Sequence, residues 1–195
     1  MLSLGTLFWL MILFFGIIGS LRGWTREVIA TSGLILSLFA INTFGYLVLG
    51  FPTGSSPSAE RAQFYYLSIV HLVIAFFSYQ VPASAGARLR ERLRVRDNLQ
   101  DKLLGLIVGA VNGYLIVGSL WSFLEYRVQP NREWIRLTVG DQFPYPFDLT
   151  TLARPNFAVE LGLDTLMGRL PLPLLEPFLP ILVVVVFLFV IIVMI

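Results

Sequence analysis

Long apolar stretches without charged residues alternate along the chain with short segments that hold most of the charges. Four such stretches cover residues 2–21, 28–59, 62–87 and 103–124, and a run made mostly of Val, Ile, Leu and Phe covers 177–195. Because a helix rises about 1.5 Å per residue, about 20 residues cross a hydrocarbon core of about 30 Å. The pattern predicts an all-α integral membrane protein, with a four-helix transmembrane core and a fifth, C-terminal transmembrane helix.

Helix-breaking residues set the expected boundaries. The second helix is predicted to run from about Trp24 to about Leu49, and the third over residues 63–81, ahead of Pro82. The first stretch is predicted to be a retained helix, because it has no Lys or Arg before its apolar run and no small-x-small cleavage site. The fifth crossing has Pro and Glu in its first turns, so we expect it to be kinked or tilted.

We expect three parts along the chain. Residues 1–125 form the four-span core, residues 126–172 a Pro- and aromatic-rich extracytoplasmic or interfacial segment, and residues 173–195 the C-terminal helix. Within the middle part, residues 157–170 are predicted to form a short amphipathic helix on the membrane surface.

Composition agrees with a membrane protein. The 195 residues are 56% hydrophobic and only 13% charged, against roughly 25% charged in soluble domains. There is no Cys, which excludes disulfides and thiol chemistry. No nucleophile elbow, phosphate-binding loop, zinc-peptidase motif or dinucleotide fingerprint is present, so we expect no enzyme, no cofactor and no metal.

The basic residues predict the orientation. The segments between spans one and two and between spans three and four hold eight basic and four acidic residues, a net charge of +4, whereas the remaining segments hold six basic and eight acidic ones, a net charge of −2. Positively charged loops stay in the cytoplasm. The N-terminus is therefore predicted outside and the C-terminus inside.

The densest basic segment precedes the fourth helix. It alternates arginines with other residues, at Arg88, Arg90, Arg92, Arg94 and Arg96. Lying along the membrane, these arginines could bind anionic lipid headgroups at about 1 kcal/mol each; the alternatives are a pure topology signal or a protein partner. We do not expect nucleic acid as a partner, because no aromatic residues are interleaved and the segment is tethered to the membrane.

Small residues pattern the fourth helix. Gly105, Gly109 and Gly113 recur every fourth residue and form a glycine ladder on one helix face. Such a face allows close packing of a second transmembrane helix. A pore lining or a moving gate is the alternative interpretation.

An intramembrane polar site is a further candidate. His71 lies near the middle of the third helix, where an ionisable residue suggests function by default. The alternative is a neutral imidazole hydrogen-bonded to Asn112 or Asn42. No second His accompanies it, and no Asp or Glu is expected deep within a span.

Two motifs carry a resemblance to a known family. Residues 19–27 contain Arg22-Gly23-x-x-Arg26-Glu27, and residues 101–113 read Asp101-Lys102 followed by the three glycines. Over residues 1–125 the chain resembles the colicin V production protein family, which pairs an Arg-Gly-x-x-Arg-Glu turn with an Asp-Arg/Lys entry to a glycine-rich fourth helix. Two positions depart from it: Leu4-Gly5-Thr6 replaces an early acidic residue, and Asn112 replaces an Arg.

The resemblance implies a bacterial inner-membrane protein that is associated with colicin V production or export. Both motifs fall at the same membrane face, so we expect Glu27 to pair with Arg22 or Lys102, and Asp101 with Arg26. Three function classes stay open: a scaffold that acts through helix contacts, as a homo-oligomer or with other membrane proteins; a small channel or transporter; and an accessory subunit of a larger membrane complex. The expected absence of buried charge favours the scaffold.

Overall fold

Helices long and apolar enough to cross a bilayer dominate the computed structural model, which describes residues 2–48, 57–80, 98–128, 133–136, 152–153, 166 and 168–194. Its first four long helices are α1 (Leu4–Arg22), α2 (Trp24–Val48), α3 (Pro57–Tyr79) and α4 (Asn98–Glu125). A fifth apolar helical segment covers Pro171–Ile192. The predicted all-α membrane class is confirmed.

The connection between α1 and α2 is a single residue. Gly23 has a φ of 87°, a left-handed conformation that favours glycine. Its N–H donates to the Gly19 carbonyl at 2.9 Å and so caps the last turn of α1. α2 then begins at once at Trp24, as the sequence predicts.

The predicted bounds of the third helix are wrong. It begins at Pro57, six residues before the expected position 63, and ends at Tyr79 rather than 81. A backbone N–H in the first turn of a helix has no acceptor within the helix. Proline, which has no N–H, is therefore tolerated at the first helical position. Glu60 in the first turn is stabilised by the helix dipole.

α4 is the central helix of the bundle. It packs against α1 along most of its length and also contacts α2 and α3, while α2 and α3 pack against each other. The main core comprises buried apolar residues from α2, α3 and α4, among them Leu34, Leu38, Leu67 and Leu115. The outer side of α1 exposes large apolar side chains such as Leu13 and Phe14, as expected for a surface that faces lipid.

The fifth span is divided by a short 3-10 turn. It comprises α5 (Pro171–Leu175), the turn Glu176–Phe178 and α6 (Leu179–Met194). Leu170, Leu172 and Leu179 are fully buried and attach its beginning to the bundle. From Pro180 to Ile192 no side chain is buried, so α6 presents apolar side chains on most of its circumference.

Two short strand pairs were not predicted. β1 (Leu2–Ser3) pairs in parallel with β4 (Leu152–Ala153), and β2 (Tyr126–Val128) forms an antiparallel pair with β3 (Trp134–Arg136).

Side chains of the core hold this second pair at the end of the bundle. The Gln63 amide donates to the Val128 carbonyl at 3.3 Å and accepts from the Val128 N–H at 3.2 Å. Arg127 forms a 2.9 Å salt bridge with Glu60, and the Trp134 indole N–H donates to the Asn42 Oδ1 at 2.9 Å. The first part of the 126–172 segment is therefore attached to the four-helix core.

Two expected features lie outside the described residues. One is the basic segment with Arg88, Arg90, Arg92, Arg94 and Arg96, and the other is most of the predicted amphipathic helix at 157–170. The division of the chain at 125 and 172 stays a prediction.

Candidate functional site

A buried polar cluster joins all four core helices at the end where α1 meets α2. We call it the Glu27 cluster; it comprises Arg22, Glu27, Thr31, Tyr79 and Asn112. The Glu27 side chain is completely buried. Its Oε1 accepts from the Arg22 Nη1 at 2.7 Å, and its Oε2 accepts from the Asn112 Nδ2 at 2.8 Å and from the Tyr79 hydroxyl at 3.2 Å. Both carboxylate oxygens are thus bonded to donors from other helices or from the preceding turn.

Asn112 uses its whole amide group in this cluster. Besides the bond to the carboxylate, its Nδ2 donates to the Glu27 main-chain carbonyl at 3.0 Å. Its Oδ1 lies 2.7 Å from the Thr31 hydroxyl, which is also 2.8 Å from the same Glu27 carbonyl. Because a hydroxyl has one proton, Thr31 donates to one of these two oxygens at a time. Asn112 therefore fixes the register of α4 against α2.

Arg22 connects the end of α1 to α2 and α3. Its Nη2 donates to the main-chain carbonyl of Tyr79 at 2.9 Å, and its guanidinium lies 4.4 Å from the centroid of the Tyr79 ring. A cation at the last carbonyls of α3 is favoured by the helix dipole. A guanidinium can make the ion pair, the carbonyl bond and the ring contact together, which the ammonium group of Lys cannot.

Asp101 of α4 contacts the turn between α1 and α2, next to this cluster. The Trp24 N–H, one of the first unpaired donors of α2, donates to the Asp101 Oδ1 at 3.3 Å. A Cβ at Gly23 would lie 2.9 Å from the Asp101 Oδ2, so this position combines a positive φ with no room for a side chain. The two family-like motifs are therefore in direct contact.

The three glycines of α4 all face α1. A Cβ at Gly105 or Gly109 would overlap the backbone of α1 around Gly19, and a Cβ at Gly113 would lie 2.7 Å from the Phe15 Cβ. The backbones of α1 and α4 thus touch directly. Such close contact is a main source of helix attraction where lipid removes the hydrophobic drive between helices.

His71 belongs to a second, separate polar site. It is fully buried, its Nδ1 lies 2.9 Å from the Ser37 Oγ, and its ring meets Phe123 edge to face with 5.8 Å between centroids. The predicted partners were wrong, because Asn112 is bonded to Glu27 and Asn42 to Trp134. The serine partner could not be read from the sequence, since many hydroxyl residues lie at similar depths.

The expectation that no carboxylate is buried was also wrong. Glu27 and Glu125 are completely buried and Glu60 is 8% exposed. Of the two partners predicted for Glu27, Arg22 is the one in contact. Lys102 is exposed and Arg26 half-buried, and the pairing of Asp101 with Arg26 stays a prediction.

Sequence reasoning missed Tyr79 and Thr31 altogether. Tyr79 is the last residue of α3, and an aromatic hydroxyl at the same membrane face as Arg22 and Glu27 was the available signal. In the part of the chain that the structure describes, no group of three His, Asp or Glu residues is placed to hold a metal ion. The cluster neutralises the buried carboxylate of Glu27 and fixes its position among the four helices.

These features define the class of protein, a multi-pass helical membrane protein whose core is fastened by a buried ion pair and a glycine contact. The family described as Colicin V production protein matches residues 4–139. The chain belongs to this family, and the match extends beyond the expected limit of 125 to include the β2–β3 pair. No significant match was found among curated proteins or among solved structures.

Proposed function

We propose that this protein is a non-enzymatic component of the bacterial inner membrane that supports the production or export of a toxin, or a related membrane process, through helix contacts with a second copy or another membrane protein. The observation that carries the proposal is that two buried polar sites, the Glu27 cluster and the His71–Ser37 pair, lie at different levels of the bundle. The Glu27 cluster pairs both oxygens of its carboxylate within itself, and apolar residues lie between the two sites.

Buried apolar residues lie between the two polar sites on both α2 and α3. On α2, Leu34 lies between Thr31 and Ser37, and on α3, Ala75 lies between Tyr79 and His71. The two polar levels are about 9–12 Å apart along these helices, at about 1.5 Å per residue. A water or proton path needs polar groups in hydrogen-bond contact, so a gap of this size favours a packed core over a conducting one.

A flux measurement separates the proposal from a channel or transporter. The purified protein, reconstituted in liposomes, is expected to leave proton and potassium flux at the level of protein-free liposomes. A flux that depends on the protein and disappears in the His71→Leu variant would make the channel interpretation correct.

The lipid-facing surface is the proposed contact surface. Photo-crosslinking residues introduced at Ile17 on α1 and Phe187 on α6, which are 50% and 65% exposed, are expected to yield a defined protein adduct in cell membranes. The fully buried Leu34 is the matched control and should yield none. Lipid adducts alone at both exposed positions would contradict the proposal.

A role in toxin release is tested in cells that secrete a colicin V-type toxin. Removing this protein is expected to lower the secreted toxin, and the wild-type chain should restore it. Unchanged secretion would assign the protein to another membrane process.

The proposed orientation places the Arg22 and Asp101 end of the bundle in the cytoplasm. The chain has no Cys, so single cysteines can report the side. Leu99→Cys, at a residue 70% exposed in the first turn of α4, should resist an impermeant maleimide in intact cells, whereas Glu133→Cys, exposed beyond the other end of α4, should react. The reverse labelling would invert the topology.

The proposed lipid contact of the arginine segment has a test of its own. Replacing Arg90, Arg92 and Arg94 with Gln is expected to weaken retention of anionic phospholipid by the purified protein, because each arginine near an anionic surface contributes about 1 kcal/mol. Retention equal to that of the wild type would leave the segment as a topology signal.

A further inference from the structure

An apolar groove lies between part of the fifth span and the four-helix core. It lies between the face of α2 from Val28 to Ile35, the face of α4 from Val108 to Val111, and the face of α6 from Val185 to Phe189. Its volume is about 370 Å³. α6 packs against α2 and is buried at Leu179, and the groove lies where α6 faces α2 and α4.

The walls of the groove offer no free polar group. Only Thr31 and Ser32 carry hydroxyls there. The Ser32 hydroxyl donates to the Val28 carbonyl at 3.1 Å, and the Thr31 hydroxyl is bonded within the Glu27 cluster. An occupant of this groove therefore has no charge and needs no hydrogen bond.

The groove is too small to enclose a protein helix. A helix is about 10 Å across, so about 370 Å³ would hold less than one helical turn. Close helix pairing in membranes uses small residues, and of the nine residues that line this groove only Thr31 and Ser32 are of this kind. By contrast, an apolar cavity of about 150 Å³ is enough to bind a benzene-sized molecule, so this groove has room for a longer run of hydrocarbon.

We infer that the groove binds one acyl chain of a bilayer phospholipid, which fills the space between α6 and the core. The chain is flexible and narrow, lacks polar groups, and is present on the open side of the groove in any membrane. This inference does not depend on the proposed function, because a bound lipid would occupy the inner face of α6 whether or not its outer face contacts a protein.

The test compares a variant that fills the groove with one that does not. Val186→Trp places a large ring in the groove, whereas Val184→Trp places the same ring at a residue that is 58% exposed and does not line it. After delipidation in detergent, the wild type and Val184→Trp are expected to retain about one phospholipid per chain, and Val186→Trp less than about 0.2, because the ring takes the space of the acyl chain.

A photoactivatable acyl chain shows where the lipid lies. In liposomes, adducts at Val108 are expected to exceed those at Ile107, although Ile107 is 57% exposed and Val108 only half-buried. If Val186→Trp fails to fold, Val111→Phe serves as the filling variant, with Ile107→Phe as its control.

Three results would overturn the inference. The first is equal lipid retention in the wild type and a folded filling variant. The second is a set of adducts that follows exposure alone, as expected for bulk lipid. The third is that the wild type is a dimer and the filling variant a monomer, while both retain the same amount of lipid. A second copy of the chain would then be the occupant of the groove.

Discussion

Replacing Asn112 with Leu should destabilise the bundle, because Asn112 joins α4 to α2. Leu has the same number and branching of side-chain heavy atoms as Asn but none of the three hydrogen bonds that join Asn112 to Glu27 and Thr31. Two of these are neutral bonds, each contributing about 0.6 kcal/mol within a membrane. The third reaches a buried carboxylate, for which about 2 kcal/mol is typical. The expected decrease in the free energy of unfolding is therefore about 3 kcal/mol.

The assay is reversible unfolding in mixed micelles as the fraction of sodium dodecyl sulfate increases. Val111→Leu is the matched control, because Val111 is the neighbouring residue, is 45% exposed and should change stability by less than about 0.5 kcal/mol. A double-mutant cycle with Glu27→Gln isolates the charged bond and should give a coupling of about 1 kcal/mol. If Asn112→Leu unfolds at the same point as Val111→Leu, the Glu27 cluster does not hold α2 and α4 together.

Further substitutions test the other contacts of this end of the bundle. Gly109→Val should cost at least about 3 kcal/mol in the same assay, because its side chain would meet the backbone of α1. Gly168→Ala, whose added Cβ would have no atom of the described residues within 4 Å, should stay within about 0.5 kcal/mol of the wild type. Equal effects would contradict the close helix contact. Gly23→Ala should lower the free energy of unfolding by about 1–2 kcal/mol because of the positive φ, and a neutral result would mean that the turn relaxes. Arg22→Lys keeps the charge opposite the carboxylate but loses the bond to the Tyr79 carbonyl and the ring contact, so a loss of about 1–2 kcal/mol is expected; full stability would show that charge alone is sufficient.

The sequence was sufficient to predict the number of apolar spans and the start of α2 at Trp24. Charge-free length determines which segments can cross a bilayer, whereas the positive φ of Gly23 and the one-residue connection were not predicted. The contact of Asp101 with the same turn followed from placing two motifs at one membrane face.

The partners of individual polar residues could not be predicted. Asn112 bonds to Glu27 rather than His71 because of the rotation and vertical register of α4 against α2, which the glycine contact with α1 determines. A carboxylate in a first turn is usually expected to reach water, but the one-residue connection moves Glu27 directly into the bundle. Neither effect is encoded in the local pattern of any single helix.

The sequence also could not predict the groove beside α6. Its existence depends on how α6 packs against α2 and α4, which the uniformly apolar sequence of this helix does not specify.

The central claim is that this protein acts through contacts with other membrane proteins or with copies of itself. Its most direct test is the mass of the complex extracted from native membranes under mild conditions. The chain alone has a mass of 21.9 kDa. We predict a defined larger mass that contains either a second copy or one reproducible partner. A protein mass of a single chain, with only lipid and detergent attached, would contradict the claim.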